Sequence, residues 1–244
     1  MPEELVEQLE PLYEIIKATR IPLIKKPGFE ADDIIGTLAR QAEQLGMKTF
    51  MVTGDKDMMQ LVSDHIFLYS PGNRFKSTTV YDRKGVIDRW GVPPEKMIDL
   101  LALVGDSSDN VPGIDGVGPK TAVKLLKEYK TLDKILEHAD EVKNKRVQKG
   151  LNIGKEFVHL SKELVTIHIE VPIELHVSEL ESQPMNFPEL KNLLMGMEIF
   201  SIIPQLEKFS VENDIVENTV KKKYKTITNI KQLEKLITIL NNSE

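Results

Sequence analysis

The sequence predicts an α/β protein in which a small parallel sheet with helices is followed by a helical region. Three observations lead there. Short runs rich in β-branched and aromatic residues alternate with a helix-period segment as far as residue 70. From Tyr81 onward the apolar spacing is mostly helical. Between two of those later helices, residues 105–122 read GDSSDNVPGIDGVGPKTA, a density of glycine and proline that a plain linker does not need.

IPLI, Ile21 to Ile24, is the first strand expected. FEADDIIGTLARQAEQLG follows as a helix, because Ile34, Ile35, Leu38, Ala42 and Leu45 recur on one face and Gly46 can end it. KTFMVT (48–53) reads as a buried strand, DKDMMQLV (55–62) as a short helix and HIFLYS (65–70) as a third strand. That order calls for parallel pairing. PPEKMIDLLALVGD then places Met97, Leu100, Leu101 and Val104 on one helical stripe. PKTAVKLLKEY, TLDKILEHA, a segment from Asp140 to about Thr166 and FPELKNLLMGM (187–197) continue as helices. The polar stretch from Val211 to Lys225, ending VKKKYK, is expected to be a linker, after which NIKQLEKLITIL resumes helical periodicity.

Composition narrows the function classes. A hydrophobic content of 41% over 244 residues suits a globular chain with a sizeable core. No apolar run approaches the roughly 18 residues of a membrane span, and the start Met1-Pro2-Glu3-Glu4 does not resemble a signal peptide, so a cytoplasmic protein without a membrane partner is expected. The absence of cysteine excludes disulfides, thiolate metal sites and a cysteine nucleophile. The net charge of −6 argues at first against nucleic acid, but residues 115–149 carry nine Lys/Arg against six Asp/Glu. A basic face can coexist with an acidic total.

Three acidic clusters stand at the ends of the expected elements: Glu30, Asp32 and Asp33; Asp55 and Asp57; Asp106 and Asp109. Singly, each can be explained by helix-start or turn chemistry. Together they suit a ligand site, because in open parallel sheets such sites lie beyond the carboxyl ends of the strands. Oxygen ligands without His or Cys call for Mg²⁺ or Mn²⁺, and two such ions could serve phosphodiester hydrolysis. The five histidines lie apart with no ligand spacing. In the glycine-rich stretch, Gly116 and Gly118 allow close backbone approach and Pro119 suits a first helical position, which favours an anion at the helix start. On the following helix Ala122, Leu125, Leu126 and Tyr129 form a core stripe, while Lys120, Lys124 and Lys127 line another face. A hairpin with merely solvated lysines remains the alternative at this point.

FEADDIIGTLA, VTGDKDMMQLV and LVGDSSDNVPGIDGVGPKTA resemble the 5′ nuclease domain of bacterial DNA polymerase I, in the flap endonuclease superfamily, and the likeness runs from Met1 to about Leu206. The resemblance implies a truncated parallel-sheet, PIN-like nuclease core followed by a helix-hairpin-helix region. It implies a metal-dependent 5′-3′ exonuclease that hydrolyses DNA at 5′ flaps or nicked duplexes in replication and repair. It further implies that Glu30, Asp32, Asp33, Asp55, Asp57, Asp106 and Asp109 serve two Mg²⁺ or Mn²⁺ ions. Gly116, Gly118, Lys120, Thr121 and Lys124 would grip duplex phosphates, with a K⁺ near that hairpin.

The expected organisation is a nuclease core over residues 1–88, a DNA-binding region over 89–206, and a linker with the start of a proofreading-like domain over 207–244. A monomer continuous with polymerase domains is expected. The family's usual first strand, which bears a metal-binding aspartate, and its basic helical arch precede the matched region, so the chain reads as an internal fragment or a truncated gene product. Such a fragment is expected to expose an apolar sheet edge and to bind flap DNA while cutting it slowly or not at all. Two other readings stand beside this one: a duplex-binding fragment that does not cleave, and a different Mg²⁺ phosphotransfer enzyme such as a phosphatase, which would not require the glycine hairpin.

Overall fold

A computed structural model describes residues 2–72, 77–217 and 230 of the chain. The chain divides into two compact units: Ile24–Glu181, and Met1–Leu23 together with Ser182–Glu244.

No element is predicted before Ile21, yet α1 (Glu3–Val6) and α2 (Leu9–Thr19) open the chain, and Arg20 ends α2 in the left-handed conformation at φ 57°. Residues 21–24, expected as a strand, form none. Pro22 has no N–H to give a ladder, and no described strand lies alongside.

α3 (Ala31–Gln44) starts with an acidic first turn, which the helix dipole favours, and Gly46 follows its end at φ 72°. Its buried face is not quite the expected one. Ile34, Ala39 and Ala42 are buried with Gly36 and Thr37, whereas Ile35 and Leu45 are exposed. The cause is a distant segment laid across the helix. A Cβ on Gly36 would lie 2.9 Å from the Ile167 side chain, and Thr37 Oγ1 accepts a hydrogen bond of 3.1 Å from the Val171 N–H.

β1 (Thr49–Val52) and β2 (Ile66–Ser70) pair in parallel, with Thr49 opposite Ile66. The short helix expected between them is present as a 3-10 helix over Asp57–Leu61. β3 (Thr79–Tyr81) joins β2 antiparallel, so the sheet is mixed, in the order β1-β2-β3. Met51, Ile66, Leu68 and Tyr81 fill the inner face. On the outer face Phe50, Val52 and Val80 are exposed and Phe50 stacks on Phe67 at 5.2 Å, so β1 is buried on one side only.

α4 (Arg83–Trp90) is capped by Asp82, which accepts from the Gly85 N–H at 2.7 Å. α5 (Met97–Val104) is the central helix: Met97, Leu100, Leu101, Ala102 and Leu103 are almost wholly buried. Around it stand α6 (Pro119–Tyr129), α7 (Leu132–Glu137), α8 (Lys145–Gly154) and α9 (Val158–Leu164). The helical stretch expected from 140 to 166 breaks between α8 and α9. Gly154 closes α8 against the hairpin, where a Cβ would meet the Ile114 side chain at 2.0 Å.

α10 (Phe187–Gly196) and α11 (Ile203–Glu217) complete the other unit. There Ala18 of α2 packs with Leu190, Leu194 and Ile203, and the Asn186 N–H donates to the Ala18 carbonyl at 2.9 Å. The linker expected over 211–225 begins as helix as far as Glu217. Its VKKKYK end and, apart from Ile230, the NIKQLEKLITIL segment lie outside the described residues. Among the described residues no helix is long and apolar enough to cross a membrane.

Candidate active site

The parallel pairing of β1 and β2 brings their carboxyl ends together, and Thr53 extends it by donating its N–H to the Tyr69 carbonyl at 3.1 Å. The chain then turns sharply. The Asp55 N–H bonds Thr53 Oγ1 at 3.0 Å and the Asp57 N–H bonds Asp55 Oδ1 at 2.9 Å, so local polar groups hold both aspartates at the strand end. α3 presents Glu30, Asp32 and Asp33 from its first turn. Asp106 follows the end of α5 and is locked by a two-way backbone bridge to Val111, at 2.9 and 2.7 Å.

These elements enclose one cavity of about 330 Å³, lined by Glu30, Asp32, Asp33, Asp55, Asp57 and Asp109, with Val111 and residues 164–167 as its wall. Carboxylate oxygens of Asp57, Asp106 and Asp109 lie within 4.8 Å of one another. All seven carboxylates singled out in the sequence thus converge, although three chain segments supply them.

They are not equivalent. Asp33 already spends both oxygens, accepting from the Glu30 N–H at 3.3 Å and the His168 N–H at 2.9 Å, so it ties the start of α3 to the wall of the cavity. Burial raises the Asp32 pKa above the ordinary value, and the nearby charge of Asp55 adds to it. Burial pushes Asp57 up to about 6, with Lys56 opposing and Asp55 reinforcing the shift. Asp57 Oδ1 is buried and receives no hydrogen bond. Asp106 moves the other way: the hydrogen bond from Lys56 lowers its pKa, outweighing its burial, and the Ser108 N–H helps from 2.9 Å.

Two participants escape a search for acidic motifs. Lys56 stands between Asp55 and Asp57 and turns its ammonium onto Asp106. Its own pKa is raised, since burial opposes the charge but the bond to Asp106 prevails. Gln60 is buried and holds the cavity wall, donating to the Val165 carbonyl at 2.8 Å and accepting from the Ile167 N–H at 3.1 Å. Lys56 was visible in the motif; the partners of Gln60, more than a hundred residues away, were not.

The glycine-rich stretch runs from Asp106 into α6. Gly105 has φ 76°, and a Cβ there would lie 2.4 Å from the Gly113 nitrogen, so the loop crosses its own base where only glycine fits. Gly116, at φ 78°, makes the hairpin turn, and Gly118 caps α6 with open space around it. Lys120 and Lys124 are exposed on α6, and Thr121 is half-buried. Behind the hairpin, Arg146 of α8 pairs with Asp115 at 2.8 Å. α9 joins hairpin and cavity: Ser161 Oγ donates to the Pro112 carbonyl at 2.8 Å, and the end of the same helix forms the cavity wall.

A carboxylate cavity at the end of a parallel strand pair, tied by buried helices to a glycine hairpin, defines a class of α/β fold shared with 5′-exonucleases. The T5 5′-exonuclease superposes with a TM-score of 0.59 at 21% identity, covering 78% of this chain and 75% of that one. A bacteriophage T5 flap endonuclease, in a pseudo-enzyme-product complex with DNA and metal ions, gives 0.61 at 21% identity, over 79% of this chain and 68% of that one. The catalytic core of Rad2, in complex with DNA substrate, gives 0.56 at 16%, over 80% and 65%.

The chain belongs to the 5′-3′ exonuclease family, matching its N-terminal resolvase-like domain over residues 1–91 and its C-terminal SAM fold over 92–188. A 5′-3′ exonuclease of Aquifex aeolicus is 38% identical over 207 residues, which cover 85% of this chain and 69% of that protein. DNA polymerase I of Rhizobium leguminosarum is 45% identical over 201 residues, 82% of this chain. DNA polymerase I of Bacillus subtilis is 37% identical over 229 residues, 94% of this chain. The match spans 19% and 26% of those two polymerases.

Proposed function

We propose that the chain is the metal-dependent 5′-3′ exonuclease and flap endonuclease portion of a DNA polymerase I, hydrolysing DNA phosphodiesters at 5′ flaps or nicked duplexes. The observation that carries this reading is the convergence of six carboxylates in one cavity, with Asp106 beside Asp57 and Asp109, next to a hairpin shaped for phosphate. On this reading residues 1–88 supply most of the cutting site, and residues 89–206 complete it with Asp106 and Asp109 and grip the duplex. The boundary between the two matched family domains, at 91 and 92, supports that division.

The residues present fit a divalent ion. Three carboxylates offer oxygens within 4.8 Å, and one buried oxygen of Asp57 has no hydrogen bond to lose. Asp57, Asp106 and Asp109 would hold one ion, and Glu30, Asp32 and Asp55 would serve a second; Mg²⁺ or Mn²⁺ suits an all-oxygen set. Such ions supply Lewis-acid activation of water and neutralise charge on the phosphate. A K⁺ would suit carbonyl oxygens of the hairpin.

The chain's own groups supply the rest. Gly116 and Gly118 let backbone N–H groups approach a phosphate, and the start of α6 attracts its charge. Thr121 and the exposed Lys120 and Lys124 extend that grip along the backbone without addressing any base. Asp33 and Gln60 fix the walls, so the cavity keeps its shape when a charged strand enters. The phosphatase alternative leaves the hairpin unused, and no observation favours it.

A 5′-labelled flap incubated with the chain and Mg²⁺ should yield a slowly forming product that disappears in EDTA and in the Asp106→Asn variant. Product that persists in EDTA or in the variant, or no metal-dependent product at all, would overturn the assignment.

A further inference from the structure

Lys56 is placed between two candidate ligands in sequence, and its ammonium turns into the acidic cavity. It forms an ion pair with Asp106 and lies 3.6 Å from Asp57 Oδ1, the buried oxygen that receives no hydrogen bond. Asp57 and Asp106 belong to the trio whose oxygens lie within 4.8 Å of one another. A cation therefore already stands among the oxygens best placed for a divalent ion.

The pair is lopsided. The Asp106 side chain is 5% exposed, whereas the Lys56 side chain is 33% exposed, so the lysine reaches in from the mouth of the cavity. Asp106 is fixed by its backbone bridge to Val111 and by the Ser108 N–H, and it cannot follow if the ammonium leaves. Lys56 can leave by rotating its four-carbon stem, with no change in the backbone. An ammonium and a divalent ion sharing these oxygens would repel strongly in a partly buried site. Occupancy by one then excludes the other.

We propose that Lys56 is the built-in counter-ion of the metal-free site and is displaced when a divalent ion binds. The inference rests on reading these carboxylates as a metal site. In the metal-free chain the lysine offsets repulsion among the aspartates. When metal enters, the ammonium is released to the mouth of the cavity, where it can meet an anion. Apparent metal affinity is then set by competition between the ion and a side chain tethered beside the site.

Calorimetric titration with Mn²⁺ of the 244-residue chain and of its Lys56→Met, Lys56→Arg and Asp106→Asn variants tests this. Removing the competing charge should tighten binding about tenfold in Lys56→Met, within the usual range of coupling between sites. Lys56→Arg keeps the charge and should bind no tighter than the parent. Asp106→Asn should bind more weakly. A second measurement needs no variant: acetylation of Lys56 in the parent chain, followed by mass spectrometry, should be slow in EDTA and several-fold faster with saturating Mg²⁺. The exposed Lys120 should react equally in both conditions. Parent binding with no gain in Lys56→Met, or Lys56 reactivity unmoved by Mg²⁺, overturns the role of Lys56 and leaves the metal site standing. Absence of binding in every variant overturns the metal site, and this inference with it.

Discussion

Replacing Asp57 by Asn should stabilise the metal-free chain at alkaline pH, although the residue sits in the candidate active site. Its carboxyl pKa lies at about 6 in the folded chain against 3.8 for a free aspartate, and its side chain is only 17% exposed. A folded-state pKa above the unfolded one means that the folded chain binds the proton more tightly. The contribution to stability is therefore complete below about pH 4 and is lost as pH rises through about 6. Two units at 1.36 kcal/mol each give about 3 kcal/mol, or about 2 kcal/mol after allowance for partial exposure. Asn keeps the shape without the charge, so it should recover that amount at about pH 8 and gain almost nothing at about pH 4. For a chain of this size the recovery corresponds to roughly 4–8 °C in Tm. Thermal unfolding in EDTA of both proteins at the two pH values measures it. Saturating Mg²⁺ should raise the Tm of the parent and do less for the variant, because the ion neutralises the same charge. A variant less stable than its parent at alkaline pH without metal, or a parent whose stability is flat across the window, would refute the reasoning.

Other consequences concern the loop, the hairpin and the cavity wall. Gly113→Ala places a Cβ 2.0 Å from the Val104 carbonyl oxygen, so it should cost about 3 kcal/mol or more in urea unfolding. Gly118 has nothing within 4 Å of a new Cβ, so Gly118→Val should leave the melting temperature nearly unchanged while weakening duplex binding in fluorescence anisotropy. Lys120→Glu should weaken that binding too and flatten its dependence on salt by about two charges' worth of slope, one for the lysine lost and one for the glutamate gained. Affinity unmoved by either change would rule out the hairpin as the gripping element. Gln60→Ala leaves the Val165 carbonyl and the Ile167 N–H without their partner, and should cost about 2–3 kcal/mol in urea unfolding.

Much of this protein was written locally. The helical period from Ala31 to Gln44, the apolar run of α5 and the Pro-Lys-Thr start of α6 each arise from nearest-neighbour chemistry, and each became the element expected. The acidic clusters were equally legible, because an aspartate at a strand end or in a first helical turn is marked by its immediate context. Tertiary structure decided what had no local mark. Residues 21–24 had the composition of a strand but no described neighbour to pair with, and a ladder needs two strands. Ile35 and Leu45 lay outside the buried face of α3 because the segment around Ile167 and Val171, far along the sequence, covers the side where Gly36 and Thr37 stand. At the site, sequence spacing showed that Asp57 and Asp106 carry acid, and the fold set one above and the other below its ordinary pKa. Burial dominates at Asp57 and the hydrogen bond from Lys56 dominates at Asp106, and only the packing of the loop after β1 against the end of α5 decides which carboxylate is buried and which one the ammonium meets.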